Sequence, residues 1–149
     1  MAVKVLIMIG SKSDEEYATI CHELLGKFGI EASVEISSAH RHPERTAKLA
    51  SEAESNGFET VIAMAGMAAA LPGVVAAHTN LPVIGVPLPA TVGGLDALMS
   101  VTQMPPGIPV AAVAIGKPGA KNAAVLAARI LALSHSDVKD ALTSYRQSL

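Results

Sequence analysis

The sharpest chemical signal in the chain is the pair His40-Arg41, set in the stretch Ser37-Ser38-Ala39-His40-Arg41. Arg carries a permanent, planar fork of donors that matches a phosphate. His has the ordinary pKa nearest neutrality, so it can both give and take a proton at working pH. A second stretch, Gly10-Ser11-Lys12-Ser13-Asp14, places a tight-turning Gly and two hydroxyls just ahead of a helical pattern. Unpaired N–H groups at a helix start attract anions, so Ser11 and Ser13 are candidates for holding phosphate and Asp14 for ribose hydroxyls. Ser13 reads equally as the first member of a capping box that Glu16 completes, and the two roles can coexist.

Other residues offer less. His22 and His135 fall in or near amphipathic helical patterns and read as solvated; His42 reads as the cap of the helix that Pro43 begins, and His78 as a helix end. His40-x-His42 has no third ligand at a recognisable spacing, so no metal site is expected. No Gly-x-x-x-x-Gly-Lys-Ser/Thr, Gly-x-Gly-x-x-Gly or Gly-x-Ser-x-Gly occurs, which removes the fingerprints of triphosphate loops, dinucleotide sites and nucleophile elbows. The run Gly116-Lys117-Pro118-Gly119-Ala120-Lys121-Asn122 resembles a phosphate loop, yet a turn before a helix explains it as well. Cys21, the one cysteine, reads as a small buried hydrophobe.

The elements that must position these groups alternate. Val3 to Ile9 is a nearly continuous apolar run, as in a strand buried on both faces. A helix follows from the Ser13 capping box, with apolar residues through Phe28 and Gly29 to close it. Ile30 to Ile36 alternates apolar and polar, the mark of a half-exposed edge strand. A second helix starts at Pro43 and fades at Asn56-Gly57. The pattern then repeats: strands over Thr60–Ala65, Pro82–Val86 and Val110–Ile115, and helices over Ala68–Ala77, Leu95–Val101, Ala120–Leu133 and Ser136–Ser148. Such alternation predicts an α/β fold, a doubly wound parallel five-stranded sheet in three layers with an extra C-terminal helix. No linker or repeat interrupts it, so one domain spanning 1–149 is expected. In such sheets ligands sit beyond the carboxyl ends of the strands where strand order reverses. With order 2-1-3-4-5, that point receives Gly10–Asp14, Ser37–Arg41 and Ala65-Gly66-Met67.

Composition narrows the function classes. A net charge of −2 gives no basic face for nucleic acid and no polybasic patch for a membrane, and aromatics make up 3%. The N-terminal apolar run is too short to span a bilayer and lacks a cleavage pattern, which predicts a cytoplasmic protein. Only 16% of residues are charged, against about 25% in ordinary soluble domains, so much of the surface is expected to lie against sister subunits.

Eight ordered stretches then carry a family resemblance: Gly10-Ser11-Lys12-Ser13-Asp14, Ser38-Ala39-His40-Arg41, Ala65-Gly66, Leu71-Pro72-Gly73, Leu81 to Pro87, Gly94 to Leu98, Gln103-Met104-Pro105 and Ala114-Ile115-Gly116. The chain resembles the N5-carboxyaminoimidazole ribonucleotide mutases of purine biosynthesis, in the bacterial class, over almost its whole length. The resemblance implies a flavodoxin-like homo-octamer without metal or cofactor, acting on a small phosphorylated ribonucleotide. It implies that Ser11, Ser13 and Arg41 hold the 5′-phosphate and Asp14 the ribose. Backbone at Ser38, Ala65 and Gly66 would meet the imidazole and carboxylate, with Leu71 in the apolar wall and His40 as proton shuttle. The family reads Gly-Gly-Ala-Ala-His-Leu-Pro-Gly where this chain has Gly66-Met67-Ala68-Ala69-Ala70-Leu71-Pro72-Gly73, so a Gly becomes Met67 and a His becomes Ala70. The competing expectations are a carboxylase using free CO2 and a phospho-ligand or receiver module of the same fold. The module would need acidic residues at strand ends or flavin-stacking aromatics, and of these only Asp14 is present.

Overall fold

A computed structural model describes residues 1–149. Five parallel strands lie in the order β2-β1-β3-β4-β5: β1 Lys4–Ile9, β2 Glu31–Ile36, β3 Thr60–Gly66, β4 Val83–Leu88 and β5 Ala111–Ala112. The helices are α1 Glu15–Lys27, α2 Pro43–Ser51, α3 Leu71–His78, α4 Leu95–Thr102, α5 Lys117–Leu131 and α6 Ser136–Gln147. The register pairs Ile9 with Ile36 on one side and with Met64 on the other, so β1 and β2 end level, β3 runs two residues further to Gly66, and all three deliver their loops to one rim. The order reverses between β1 and β3.

The alternation of side chains along each strand divides the interior in two. Val5, Ile7 and Ile9 of β1 join Ile62, Met64, Ile84 and Val86 in a 22-residue cluster under α1 and α5. Leu6 and Met8 point the other way, into a 14-residue cluster under α2, α3 and α4. Both faces of β1, β3 and β4 are therefore covered, and their near-continuous apolar sequences follow. β2 is the exposed edge, with Val34 and Ile36 partly in water. Gly85 lets α4 approach β4, because a Cβ there would stand 2.5 Å from Val101 Cγ1.

α1 ends as its sequence predicts. The N–H of Gly29, at φ +73°, bonds to Gly26 O at 3.0 Å and that of Ile30 to Leu25 O at 3.1 Å, a Schellman closure. α6 packs on α5, and Tyr145 meets Phe28 edge to face with centroids 5.2 Å apart. No helix is long and apolar enough to cross a membrane.

Several boundaries differ from the sequence pattern: β4 runs on to Leu88, and α5 starts three residues early at Lys117 and stops at Leu131. Ser13 caps nothing: Lys12–Asp14 forms a 3-10 turn, Asp14 takes the cap position of α1, and neither makes a side-chain cap bond. The helix expected from Ala68 starts at Leu71, because Met67 turns through a left-handed φ of +55° and Pro72 suits a first helical turn. α2 ends at Ser51, and a chain of turns fills the residues to Gly57. The strand expected over Val110–Ile115 shrinks to two residues, although the N–H groups of Val113 and Gly116 still bond to Gly85 O and Pro87 O at 3.2 and 2.9 Å. At that far edge β5 has one neighbour only, and the chain soon bends into α5.

Candidate active site

Beyond the carboxyl ends of β1, β3 and β4 lies a cavity of about 310 Å³. Its walls include every residue singled out from sequence: Ser11, Ser13, Asp14, Ser38, His40, Arg41, Ala65, Gly66 and Leu71. They come from three separate loops. Larger grooves exist between α5 and α6 (about 640 Å³) and at the opposite ends of the strands (about 820 Å³), but neither contains any of these groups. Convergence of chemistry, not size, marks the site.

The β1 loop forms one wall. Because Ser13 is not spent on a cap, its hydroxyl is free to pair with that of Ser11, and both face a helix start whose first N–H groups lack intrahelical partners. Asp14 is half-buried, and loss of water raises its carboxyl above the ordinary value, partly offset by the N–H groups of Ser11 and Gly10. An adjoining hollow shares Gly10, Ser11, Ser38 and Arg41 with the cavity and adds Lys12 and Arg45. Sequence reasoning passed over Lys12, although it stands between the two serines.

The β2 loop is pinned from below. Thr46 of α2 is fully buried, and its hydroxyl reaches His42 O at 3.0 Å and Ser38 O at 3.3 Å. Buried Ser37 completes the arrangement by donating its hydroxyl to Thr46 Oγ1 at 2.7 Å. Above it, the Arg41 N–H bonds to Ser38 Oγ at 3.1 Å and the His42 N–H to Ser38 O at 2.8 Å. His40 and Arg41 are thus carried on a fixed turn with their side chains in solvent. Arg45 is engaged with Glu35 at 2.7 Å, while Arg41 makes no ion pair and remains available. Ser37 and Thr46 were not legible beforehand, since their role arises only when α2 folds back under the loop.

The third wall is apolar. Ala65, Gly66 and Met67 to Leu71 line it, together with Leu88, Pro89 and Ala90 beyond β4. The last three went unnoticed, though the rule that ligands sit beyond strand ends applies to β4 as well. The N–H groups of Met67, Ala68 and Ala70 find no acceptor in the chain, so this wall offers donors without offering a titrating side chain. The side chain of Ala70 contributes only a methyl there.

The lesser candidates fall away from the cavity. His135 is only partly solvated: its Nε2 lies 2.8 Å from Glu59 Oε2, tying the start of α6 to the foot of β3. His42 stands at the cap position of α2 without a side-chain cap bond, His78 is the last residue of α3, and His22 is exposed. Gly116 leads into α5 at φ +74°, and Lys117 bonds to Glu16 at 2.6 Å, so that segment is a helix start. Cys21 is fully buried and its thiol is pushed up to about 12 by loss of water. No three His, Cys, Asp or Glu side chains converge anywhere.

The chain is similar to known proteins along almost its whole length. A family model described as AIR carboxylase matches residues 4–149. The chain is 50% identical over 147 residues to the N5-carboxyaminoimidazole ribonucleotide mutase of Saccharolobus solfataricus, covering 98% of this chain and 92% of that one. It is 45% identical over 146 residues to the enzyme of the same name from Escherichia coli K12, covering 97% and 86%. Among solved structures, Treponema denticola PurE superposes with a TM-score of 0.88 at 35% identity, covering 97% of this chain and 90% of that one. The variant PurE2-S38D from that organism gives 0.90 at 35%, covering 99% and 91%.

Proposed function

The chain belongs to the AIR carboxylase family, and from that premise we propose that it is an isomerase of purine biosynthesis, moving the carboxylate of N5-carboxyaminoimidazole ribonucleotide from the exocyclic nitrogen to ring C4. The observation that supports it most directly is the meeting of all nine candidate residues, from three distant stretches of sequence, around one cavity at the switch point of the sheet.

Ser11, Ser13 and the unpaired Arg41 hold the 5′-phosphate at the cationic side, and Asp14 accepts from the ribose hydroxyls. Backbone at Ser38, Ala65 and Gly66 meets the imidazole and the carboxylate. His40, as imidazolium, gives its proton to the carbamate nitrogen while the N–CO2 bond breaks, its electron pair staying on nitrogen. Neutral CO2 and aminoimidazole ribonucleotide result. The C4 electron pair then forms the new C–C bond to CO2, and neutral His40 takes the C4 proton as the ring recovers aromaticity. One proton is given and one taken, so the enzyme returns to its starting state and no co-reactant is consumed. The dry wall of Ala69, Leu71 and Leu88 keeps water from the intermediate.

The test offers the carbamate substrate in medium depleted of bicarbonate and follows the 4-carboxy product by absorbance. Conversion beyond spontaneous breakdown supports the reading. Dependence on dissolved CO2, with the carbamate inert, would replace it with direct carboxylation, the reading that Ala70 favours by supplying no imidazole to orient a carboxylate. His40→Asn should lower turnover by about 10²–10⁴, the usual worth of a general acid–base, with nucleotide binding retained; near-parental turnover would remove His40 from the mechanism.

The chain acts as a single catalytic domain in the cytoplasm, assembled as a homo-octamer. Val92, Leu95 and Met99 are apolar residues 56–60% exposed along α4 and its approach, which is the sort of surface that a sister subunit covers. Eight chains of 15.2 kDa give about 120 kDa by light scattering; a monomeric mass at micromolar concentration would refute the assembly.

A further inference from the structure

Met67 is the only residue other than glycine with a positive φ, +55°. An L side chain is penalised there because Cβ crowds the following carbonyl, whereas Gly is not. Packing within the chain does not compensate, since the residue is 64% exposed. Strain without a packing return, at a residue lining a reaction cavity, calls for a functional explanation. The turn is locally fixed: the Ala69 N–H bonds to Met67 O at 2.9 Å. Ala68, Ala69 and Ala70 follow with single methyl groups, so Met67 supplies the long side chain of the wall between Gly66 and Leu71.

The geometry points to Met67 as the residue that decides how much of the released CO2 is retained. This inference rests on the mutase reading above. The polar groups of the site can hold a phosphate, a ribose and a carboxylate, but CO2 is neutral and small and offers them little. What keeps it near C4 is a cover that closes faster than the molecule diffuses away; with a methyl at Ala70 in place of the imidazole that accompanies Gly in the resembling sequences, that cover falls to Met67 in this chain. An unbranched thioether has the rotational freedom to fold over the bound nucleotide and the apolar surface to lie against it. Met67 lines the cavity while 64% exposed, so its side chain stands at the rim and reaches further than an alanine there would. The cover therefore governs the partition between attack at C4 and escape, and leaves nucleotide affinity almost alone.

The partition can be read directly. Unlabelled carbamate substrate is converted in medium equilibrated with ¹³C-bicarbonate and carbonic anhydrase, and the 4-carboxy product is analysed by mass spectrometry. The parent protein should incorporate little ¹³C per turnover. Met67→Ala and Met67→Gly should each incorporate several-fold more with KM nearly unchanged, while Met67→Leu stays near the parent. Met67→Gly relieves the backbone strain, so a folding failure cannot imitate the effect. Equal, low incorporation by the parent and by the Ala and Gly variants would overturn the role of Met67 while leaving the mutase reading intact. Full equilibration of label by the parent itself would overturn the mutase reading, and this inference with it.

Discussion

Gly119→Ala sets helix propensity against packing in one substitution. Gly119 lies in the first turns of α5, where replacing Gly by Ala in an open helix stabilises by about 1 kcal/mol. A Cβ at this position would stand 1.7 Å from the carbonyl oxygen of Ala114 and 2.7 Å from its carbon, with Val86 Cγ1 at 3.2 Å. Ordinary contact begins near 3.4 Å, so either α5 or the 113–116 segment must move by more than an ångström. Neither yields cheaply. The obstructing atom is backbone, and the Gly116 N–H anchors that segment to Pro87 O at 2.9 Å. Overpacking costs about 1–3 kcal/mol where side chains can adjust and more where they cannot, so the net loss should be about 3 kcal/mol or greater. For a chain of this size that lowers the melting midpoint by roughly 6–12 °C. Gly26→Ala in α1 is the matched control, because nothing lies within 4 Å of its Cβ; it should gain about 0.4–1 kcal/mol. Urea unfolding followed by circular dichroism, at one fixed protein concentration, measures both. A Gly119→Ala midpoint at or above the parent's would refute the clash argument.

Arg41→Ala removes charge-assisted bonds worth about 1.5–3 kcal/mol, so calorimetry should show affinity for the nucleotide falling by roughly ten- to a hundredfold. Affinity for the phosphate-free nucleoside should not change; an equal fall for both would remove the phosphate role. Asp14 gives a pH signature. Its carboxyl titrates above the unfolded value of 3.8 because burial disfavours the charge, so the folded state is penalised at high pH and not below 3.8. Asp14→Asn should therefore raise the melting midpoint at neutral pH, and the gain should vanish as pH falls through that window. A gain that persists at pH 3 would contradict the assignment to burial.

The architecture was legible because period and polarity carry it. The apolar run of β1 and the alternation of β2 are direct prints of a central strand and an edge strand, and the Schellman glycine at 29 marks where α1 must stop. β5 was overstated because an apolar composition says nothing about how many residues find a ladder partner. The capping box failed at Ser13 because the motif specifies residue types, while the 3-10 turn before α1 decides where those side chains point. The candidate site was legible as loops at strand ends, and its supports were not. Thr46 looks like a poor helix former in α2, and only the fold shows its hydroxyl beneath Ser38 and His42. Likewise nothing local pairs His135 with Glu59, 76 residues away.

The division of the interior has a consequence in time. The 14-residue cluster under α2, α3 and α4 is drawn from Leu6 to Val101, so every member has been made once the chain reaches α4. The 22-residue cluster on the other face draws six members from α5 and its last, Val138, from α6. At about 5–20 residues per second, a growing chain waits roughly two to eight seconds between those points. Through that interval Ile7, Ile9, Ile62, Met64 and Ile84 form an apolar face with no helix α5 to cover it, while the three loops that bear His40, Arg41 and the two serines have already been synthesised. The rim that carries the candidate site is thus encoded early, and the helices that complete the cover on the other face of the sheet arrive last.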